Sequence, residues 1–465
     1  MEPKKIIFDT DLGLDCDDVI ALDLLLSAAK AGECDLIGVT YSYLCRDACG
    51  CIYEILRQHG FESVPMGRLP ITLELRKKSD GALLASESVM FERTAKRPDR
   101  KCWVDRKNRL IVDGKPFFPL GCYVYNVDAK ILDTYMQGAF NCLMAYPYLS
   151  RATYDLIAAR GLGIIATLKD FMPNGQHAPK KYLTHDDADR AFISRLEAFK
   201  DHPGIIAWYL NDEMPLSDLP RLTARRALVE RLDPGHPGWS VQYQHSQIRE
   251  YMPSFDVVGT DPYPVGETSV RKVTIWTRET AAGTMGCKPY WQVPQAFDVG
   301  LYKKDPKERA RYRAPTEEEL RNMCWQFIAN GANGLILYSY FDLSKPTVKE
   351  PFEKKWAECC KVGSEIRAFF PVLLSDEKAD TPPVKLLRDA EKIGEDVSVR
   401  SWWKGGEAWV LLVNAGDQPV RANVQLDGRF TTIRSAFSSG GELVRDDEIS
   451  VPLAPLGVSF VRLAP

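Results

Sequence analysis

Between residues 102 and 372, the sequence repeats one pattern, in which a short apolar segment is followed by a longer amphipathic segment. The short segments are typical of buried parallel strands, and the longer ones are typical of helices that cover a sheet. Eight such pairs in about 270 residues match the usual (β/α)8 TIM barrel. The predicted strands cover residues 116–125, 140–146, 162–170, 204–214, 239–243, 255–264, 288–297 and 334–342. An open doubly wound sheet is the alternative, but eight near-regular units without a glycine-rich phosphate loop favour a closed barrel.

Three further segments flank the predicted barrel. Residues 380–465 alternate apolar and polar residues between Gly and Asp turns, which predicts a C-terminal antiparallel β-sandwich. Residues 70–93 alternate in the same way around a polar turn and predict a β-hairpin. Residues 1–67 predict a strand, a helix, a strand and a helix. This small Rossmann-like βαβα fragment has too few strands to form a stable doubly wound domain.

Charge and composition exclude several classes of protein. The chain has 465 residues with 60 Lys plus Arg against 63 Asp plus Glu, so no basic excess indicates binding to nucleic acid or to an anionic membrane. No apolar run reaches the roughly 18 residues of a membrane helix. The first residues are interpreted as a buried strand and not as a signal peptide. The 12 cysteines are better explained by packing than by disulfides or a metal, so we expect a cytoplasmic protein.

Polar side chains follow the predicted barrel strands, where the active site of such a barrel lies. The fourth strand ends with the adjacent carboxylates Asp212 and Glu213. Aromatic rings stack on sugars, carboxylates and amides bind hydroxyl groups, and glycoside cleavage needs a protonated carboxylic acid. We therefore predict a carbohydrate site with Glu213 and Asp212 as catalytic residues. The residues expected to bind the substrate are Tyr123, Asp170, Tyr209, Asp261, Tyr263, Gln292, Gln295, Tyr338 and Asp342.

Residues 102–465 resemble the clan A glycoside hydrolases, which are (β/α)8-barrel enzymes that cleave O-glycosidic bonds. The resemblance rests on NRLIVDGKPFFPLGCY at the barrel entry, HPGIIAWYLNDEMP at the fourth strand, GTDPYP at the sixth, and PTEEELRNMCWQFIANGANGLILYSYFD at the end. The fourth strand of that clan ends with Asn-Glu, and the Glu is the acid/base. The resemblance implies this role for Glu213, whereas Asp212 occupies the Asn position.

The seventh strand departs from the clan's pattern. The clan has a nucleophilic Glu there, whereas the plausible positions in PYWQVPQAFD are Gln292 and Gln295, and an amide cannot form a glycosyl-enzyme ester. The aspartates that could replace it are Asp261, Asp298 and Asp342. A second possibility is a barrel that binds sugars without cleaving them. A third is substrate assistance as in hexosaminidases, where an Asp positions a substrate acetamido group and the neighbouring Glu protonates the leaving oxygen. Asp212 and Glu213 could do this only if the strand end is bent or bulged, because adjacent strand residues point to opposite faces.

The N-terminal sequence FDTDLGLDCDDVIAL resembles the Asp-rich signature of the inosine-uridine-preferring nucleoside hydrolases. That resemblance implies a calcium site at Asp11, Asp17 and Asp18, where the cation would orient ribose hydroxyls and activate a water. The similarity ends near Gly67, so the site would be incomplete. We expect residues 1–67 to be a truncated nucleoside hydrolase-like fragment, and 70–93 to resemble the last strands of a sandwich that often precedes such barrels.

The sequence thus predicts a glycosidase that acts on a carbohydrate and needs no cofactor in its barrel. One alternative is a calcium-dependent nucleoside hydrolase that works through the N-terminal aspartates. The other is a catalytically inactive carbohydrate-binding barrel.

Overall fold

The computed structural model describes residues 4–10, 25–26, 34–41, 67–76, 82–93, 100–173, 181–345, 348–377, 384–387, 396–437 and 440–465. The chain divides into two compact units, Met1–Asp99 and Arg100–Pro465. The predicted limits of the individual domains remain predictions.

The described part of the first unit consists of two strand pairs. Strands β1 (Lys4–Thr10) and β2 (Cys34–Tyr41) are parallel, as expected for two strands joined by a helical crossover. Strands β3 (Gly67–Arg76) and β4 (Leu83–Arg93) form an antiparallel hairpin. Except at Leu25 and Leu26, the helices predicted within residues 1–67 lie outside the described residues.

The second unit begins with a small antiparallel sheet that the sequence pattern did not indicate. It consists of β5 (Cys102–Val104), β6 (Leu110–Val112) and β7 (Lys115–Phe117). The backbone N–H of Cys102 donates to the carbonyl of Gly235 at 2.9 Å, in the loop that leads into the fifth barrel strand. This sheet therefore covers the N-terminal end of the barrel, opposite the end where barrel active sites lie.

Eight parallel strands form the barrel. They are β8 (Leu120–Val124), β9 (Cys142–Ala145), β10 (Gly163–Thr167), β11 (Ile205–Asp212), β12 (Gly238–Val241), β13 (Val257–Gly259), β14 (Trp291–Gln292) and β15 (Gly334–Leu337). Each pairs with its sequence neighbour from β8 to β13, and β15 pairs with both β14 and β8. A parallel bridge between Val258 and Tyr290 joins β13 to β14 and closes the ring. The predicted barrel is therefore confirmed, and each strand lies within a predicted segment except β12, which begins one residue earlier.

The described helices surround the barrel. They are α1 (Ala129–Tyr135), α2 (Arg151–Ala158), α3 (His185–Phe199), α4 (Leu219–Leu232), α5 (Ile248–Tyr251), α6 (Lys272–Thr284), α7 (Pro306–Arg309), α8 (Glu317–Ala329), α9 (Phe352–Ala368) and α10 (Phe370–Leu373). Short 3-10 helices cover Leu216–Asp218, His245–Gln247, Met252–Ser254, Val299–Tyr302 and Phe341–Ser344. Local sequence explains where several helices begin: Thr316 and Glu319 form a capping box at the start of α8. No described helix combines the length and apolarity that a bilayer crossing would require.

Alternation along the strands separates two apolar layers. Side chains such as Tyr123, Met144 and Trp239 fill the barrel interior, whereas alternate residues such as Cys122 and Leu210 pack under the helices. The interior is thus filled by side chains, as in other barrels of this size. Polar side chains that point into the barrel can therefore reach solvent only at its two ends.

The C-terminal segment forms the predicted β-sandwich. One sheet contains β16 (Val384–Leu387), β19 (Val420–Leu426), β21 (Glu442–Arg445) and β22 (Glu448–Leu453). The other contains β17 (Val397–Lys404), β18 (Glu407–Asn414), β20 (Thr432–Phe437) and β23 (Val458–Ala464). The buried amide of Asn322 on α8 donates to the carbonyls of Asn414 and Leu456, which joins the sandwich to the barrel.

Candidate active site

The fourth barrel strand ends in an irregular backbone. The register between β11 and β12 shifts between Tyr209 and Asn211, and Glu213, directly after the strand, has a φ of 52°. A positive φ is uncommon for a residue with a side chain. The N–H of Glu213 still donates to the carbonyl of Val241 at 2.9 Å, which holds the residue in place. This is the bend that allows the adjacent side chains of Asp212 and Glu213 to take separate partners at the same barrel end.

Asp212 accepts hydrogen bonds from two tyrosines and faces a lysine. Its Oδ1 lies 2.7 Å from the hydroxyl of Tyr209, and its Oδ2 lies 3.2 Å from the hydroxyl of Tyr146. Burial, and then the charge of Asp212, raises the pKa of both tyrosines, so both hydroxyls remain donors. The Nζ of the buried Lys169 lies 3.3 Å from Asp212 and 3.1 Å from Asp170. Asp212 is therefore held in a fixed position.

The side chains of Glu213 and Asp261, which follows β13, lie close enough for their carboxyl groups to share a hydrogen bond. Two carboxyl groups form such a bond only when one of them holds a proton, because a carboxylate has no donor. Burial raises the pKa of Asp261 well above its usual range, and Glu213 raises it further. Desolvation by the surrounding protein also raises the pKa of Glu213; the bond from Asp261 opposes this, and the charge of Asp212 adds to it. The pair therefore retains a proton above the pH at which ordinary carboxyl groups ionise.

Solvent reaches the two members of the pair unequally. Glu213 is exposed, whereas Asp261 has only 8% of its surface exposed. A substrate at this end of the barrel would therefore meet Glu213 first.

Aromatic side chains surround these acidic groups. The ring of Tyr338 lies 4.9 Å from that of Tyr123 and 5.7 Å from that of Tyr263, measured between centroids. We call the following group the aromatic wall: Tyr123, Tyr146, Tyr209, Tyr263, Phe297, Tyr338 and Phe341. The structure thus brings Tyr123, Tyr209, Tyr263 and Tyr338, all predicted from the sequence, into one cluster.

Gln295 was expected to bind the substrate, but its side-chain amide is hydrogen-bonded to backbone groups. Its Oε1 accepts from the N–H of Val265 at 2.8 Å, and its Nε2 donates to the carbonyls of Val265 and Phe297, both at 3.1 Å. Both N–H donors are used by backbone groups. The geometry therefore gives Gln295 the structural role of joining two loops instead of the predicted role in sugar binding.

Gln292 faces away from the barrel interior. Its neighbours Trp291 and Val293 belong to the interior layer, so its own side chain lies on the helix side of the strand. There its Oε1 accepts from the N–H and the hydroxyl of Thr260, and that hydroxyl lies 3.4 Å from the hydroxyl of Thr280 on α6. The expected contact between Gln292 and substrate does not fit this orientation.

The other rim aspartates also have structural partners. Asp298 caps the 3-10 helix after β14 by accepting from the N–H of Gly300 at 2.7 Å. Asp342 accepts from the hydroxyl of Tyr302 at 2.8 Å and pairs with Lys345. Neither carboxylate resembles a free nucleophile.

Three residues of this region were not proposed as site residues from the sequence. Tyr146 and Lys169 follow the second and third barrel strands, so the rule that located Asp170 applies equally to them. Tyr302 contacts both Tyr338 and Asp342 from a loop helix, and no local sequence signal distinguishes it.

No group of three or more potential metal ligands occurs among the residues that the structure describes. The aspartates proposed to bind calcium, Asp11, Asp17 and Asp18, lie outside those residues. Their site therefore stays a prediction.

Comparison with known proteins gives structural likenesses only. No protein-family model matches the chain, and no curated protein matches it. An α-amylase from Anoxybacillus is 10% identical over 72% of this chain and 89% of its own, with a TM-score of 0.45. An α-amylase from H. orenii is 9% identical over 75% of this chain and 100% of its own, with a TM-score of 0.47. A GH30 endoxylanase from Clostridium papyrosolvens is 11% identical over 75% and 96%, with a TM-score of 0.43.

All three of these proteins are glycoside hydrolases. The strand order of this chain establishes the barrel independently of these likenesses. The comparisons lend no support to the nucleoside hydrolase resemblance of residues 1–67.

Proposed function

We propose that this barrel hydrolyses O-glycosidic bonds of a carbohydrate, with Glu213 as the group that protonates the departing oxygen. The observation that carries the proposal is the hydrogen bond between the carboxyl groups of Glu213 and Asp261. Protonating a glycosidic oxygen requires a carboxylic acid whose pKa is raised, and burial of Asp261 keeps such a proton available beside Glu213. The partly exposed members of the aromatic wall supply surfaces on which sugar rings can stack: Tyr146, Tyr263, Tyr338 and Phe341.

The proposed reaction uses the single proton of the pair. The proton passes from Asp261 to Glu213 along their hydrogen bond, and Glu213 delivers it to the glycosidic oxygen as the bond from that oxygen to the anomeric carbon breaks. Both carboxyl groups are then ionised, and their negative charge stabilises the positive charge that develops on the sugar. Water adds to the anomeric carbon, and its released proton returns to the pair.

Asp261 acts in this proposal as the proton partner of Glu213 and not as a nucleophile. Carboxyl groups that lie on either side of a glycosidic bond are about 5–9.5 Å apart, whereas a hydrogen bond brings two oxygens within about 3 Å. Asp212 is the remaining carboxylate beside Glu213, and Tyr146, Tyr209 and Lys169 fix its position. Its role is to stabilise the charge at the anomeric carbon or to hold a substrate acetamido group.

The test compares Glu213→Gln with the unchanged protein on a panel of underivatised oligosaccharides. General acid catalysis contributes on the order of 10²–10⁴-fold, so we expect a loss of that size in kcat/KM with an unchanged melting temperature. Aryl glycosides with good leaving groups should lose less, because their departure needs little protonation.

Glu267→Gln is the matched control, because Glu267 is exposed in the loop after β13 and pairs with the partly exposed side chain of Lys303. It should retain full activity. A loss below tenfold for Glu213→Gln on an underivatised substrate would contradict its role. Binding of oligosaccharides without any hydrolysis would instead favour the inactive sugar-binding barrel.

A further inference from the structure

A cavity adjoins the aromatic wall at the same end of the barrel. It is lined by Tyr125, Asn126, Ile131, Tyr340, Phe341, Ser344 and Lys345, and its volume is about 340 Å³. Tyr125 and Asn126 follow β8, and the 3-10 helix Phe341–Ser344 follows β15. Both segments leave the C-terminal ends of strands, so the cavity opens on the side where the acidic pair lies. Its volume falls within the range of small-molecule sites.

The lining combines an apolar ring surface with polar groups. Tyr125 is 45% exposed, which is a large exposed fraction for an aromatic residue. The centroid of its ring lies 5.8 Å from that of Phe341. The amide of Asn126 is exposed beside it. The Nζ of Lys345 lies 5.6 Å from the ring of Phe341. An aromatic face next to amide and ammonium donors suits a ligand with one apolar face and many hydroxyl groups.

Phe341 connects the cavity to the active site. On one side its ring contacts Tyr125, and on the other its centroid lies 5.9 Å from Tyr146 and 5.6 Å from Tyr338. Tyr146 in turn donates to Asp212. A molecule that filled the cavity would therefore be separated from Asp212 by only the rings of Phe341 and Tyr146.

We propose that this cavity binds a second sugar residue of the substrate, with Tyr125 as its stacking platform, so that the protein recognises oligosaccharides and not single sugars. The inference rests on the proposed function and specifies its substrate class. The chemistry of the cavity distinguishes it from the acidic pair, since none of its lining residues is a carboxylic acid.

The experiment measures binding separately from hydrolysis. Isothermal titration of the full-length Glu213→Gln protein would use maltotriose, cellotriose and triacetylchitotriose, together with the corresponding monosaccharides. We expect at least one trisaccharide to bind more tightly than its monosaccharide. Adding Tyr125→Ala should weaken that trisaccharide roughly three- to tenfold and leave the monosaccharide unchanged. Tyr125→Phe keeps the ring and should retain the affinity.

Tyr243→Ala is the matched control, because Tyr243 is 50% exposed and follows β12, outside the cavity lining. It should leave trisaccharide binding unchanged. Equal losses in the Tyr125 and Tyr243 variants would overturn the inference, as would the absence of any trisaccharide that binds better than its monosaccharide. Failure of the proposed function would appear separately, as the absence of hydrolysis by the unchanged protein or as full activity in Glu213→Gln.

Discussion

The ends of β11 and β14 occupy comparable positions on one barrel and differ in what their polar side chains do. After β11, Glu213 is exposed and shares a proton with Asp261. At β14, Gln295 binds two backbone loops and Asp298 caps a helix. One strand end leaves a carboxyl group open to solvent, whereas the other uses its polar groups to build the rim. Position at the C-terminal end of a barrel strand therefore identifies candidate active-site residues. Only their hydrogen bonds distinguish a candidate for catalysis from a residue with a structural role.

This comparison predicts that changes near β11 alter electrostatics, whereas changes near β14 alter loop structure. The largest stability effect should come from Lys169→Met. Removing the buried ammonium leaves Asp170 and Asp212 facing each other without their cation, and breaking a buried ion pair typically costs about 3–5 kcal/mol. Chemical denaturation at neutral pH would measure the loss.

Lys303→Met provides the control for this prediction. Lys303 makes an exposed pair with Glu267 at the same barrel end, and such pairs contribute at most about 1 kcal/mol. Similar losses in both variants would show that Lys169 has no special electrostatic role.

The next effect tests the structural role of Gln295. Gln295→Ala removes three hydrogen bonds and leaves buried backbone groups of Val265 and Phe297 unpaired, at a cost of about 2–4 kcal/mol in the free energy of unfolding. Gln295→Glu should also destabilise, because a carboxylate cannot donate to the two carbonyls, and it should not raise glycosidase activity.

Gln137→Ala, at an exposed position shortly after α1, should change stability by less than about 0.5 kcal/mol. If Gln295→Ala were equally mild yet lost activity, the original expectation of substrate binding would be restored.

The smallest effect concerns the pH dependence of Asp261. Its pKa is raised in the folded protein, so the folded state binds the proton more tightly than the unfolded chain. The associated stability is complete below the unfolded pKa of about 3.9 and is lost as the pH rises through the folded pKa. Asp261→Asn, which cannot ionise, should therefore be more stable than the unchanged protein at pH 7–8, by about 1–3 kcal/mol.

Unfolding curves between pH 4 and pH 8 would measure this difference, which should shrink towards pH 4. Asp305→Asn makes the same substitution at an exposed position, where Asn can still cap the helix, and is the matched control. A difference between Asp261→Asn and the unchanged protein that grows towards low pH would contradict the shared proton.

Two features of the site show the limits of prediction from sequence. Glu213 and Asp212 could be located because an apolar strand ends directly before them, and this signal is local. Gln292 and Gln295 carried the same signal, yet one faces the helices and the other binds two loops. Side-chain direction at a strand end depends on the final backbone dihedrals, as the positive φ of Glu213 shows.

The sequence by itself determined the barrel, the sandwich and the strand ends at which polar residues collect. These features follow from hydrophobic periodicity, which each segment carries independently of the others. Only the tertiary structure decided that Glu213 meets Asp261, that Lys169 lies between Asp170 and Asp212, and that a cavity opens beside Phe341. These arrangements join residues from different strands, and burial and charge set the pKa of each group only after the chain has brought them together.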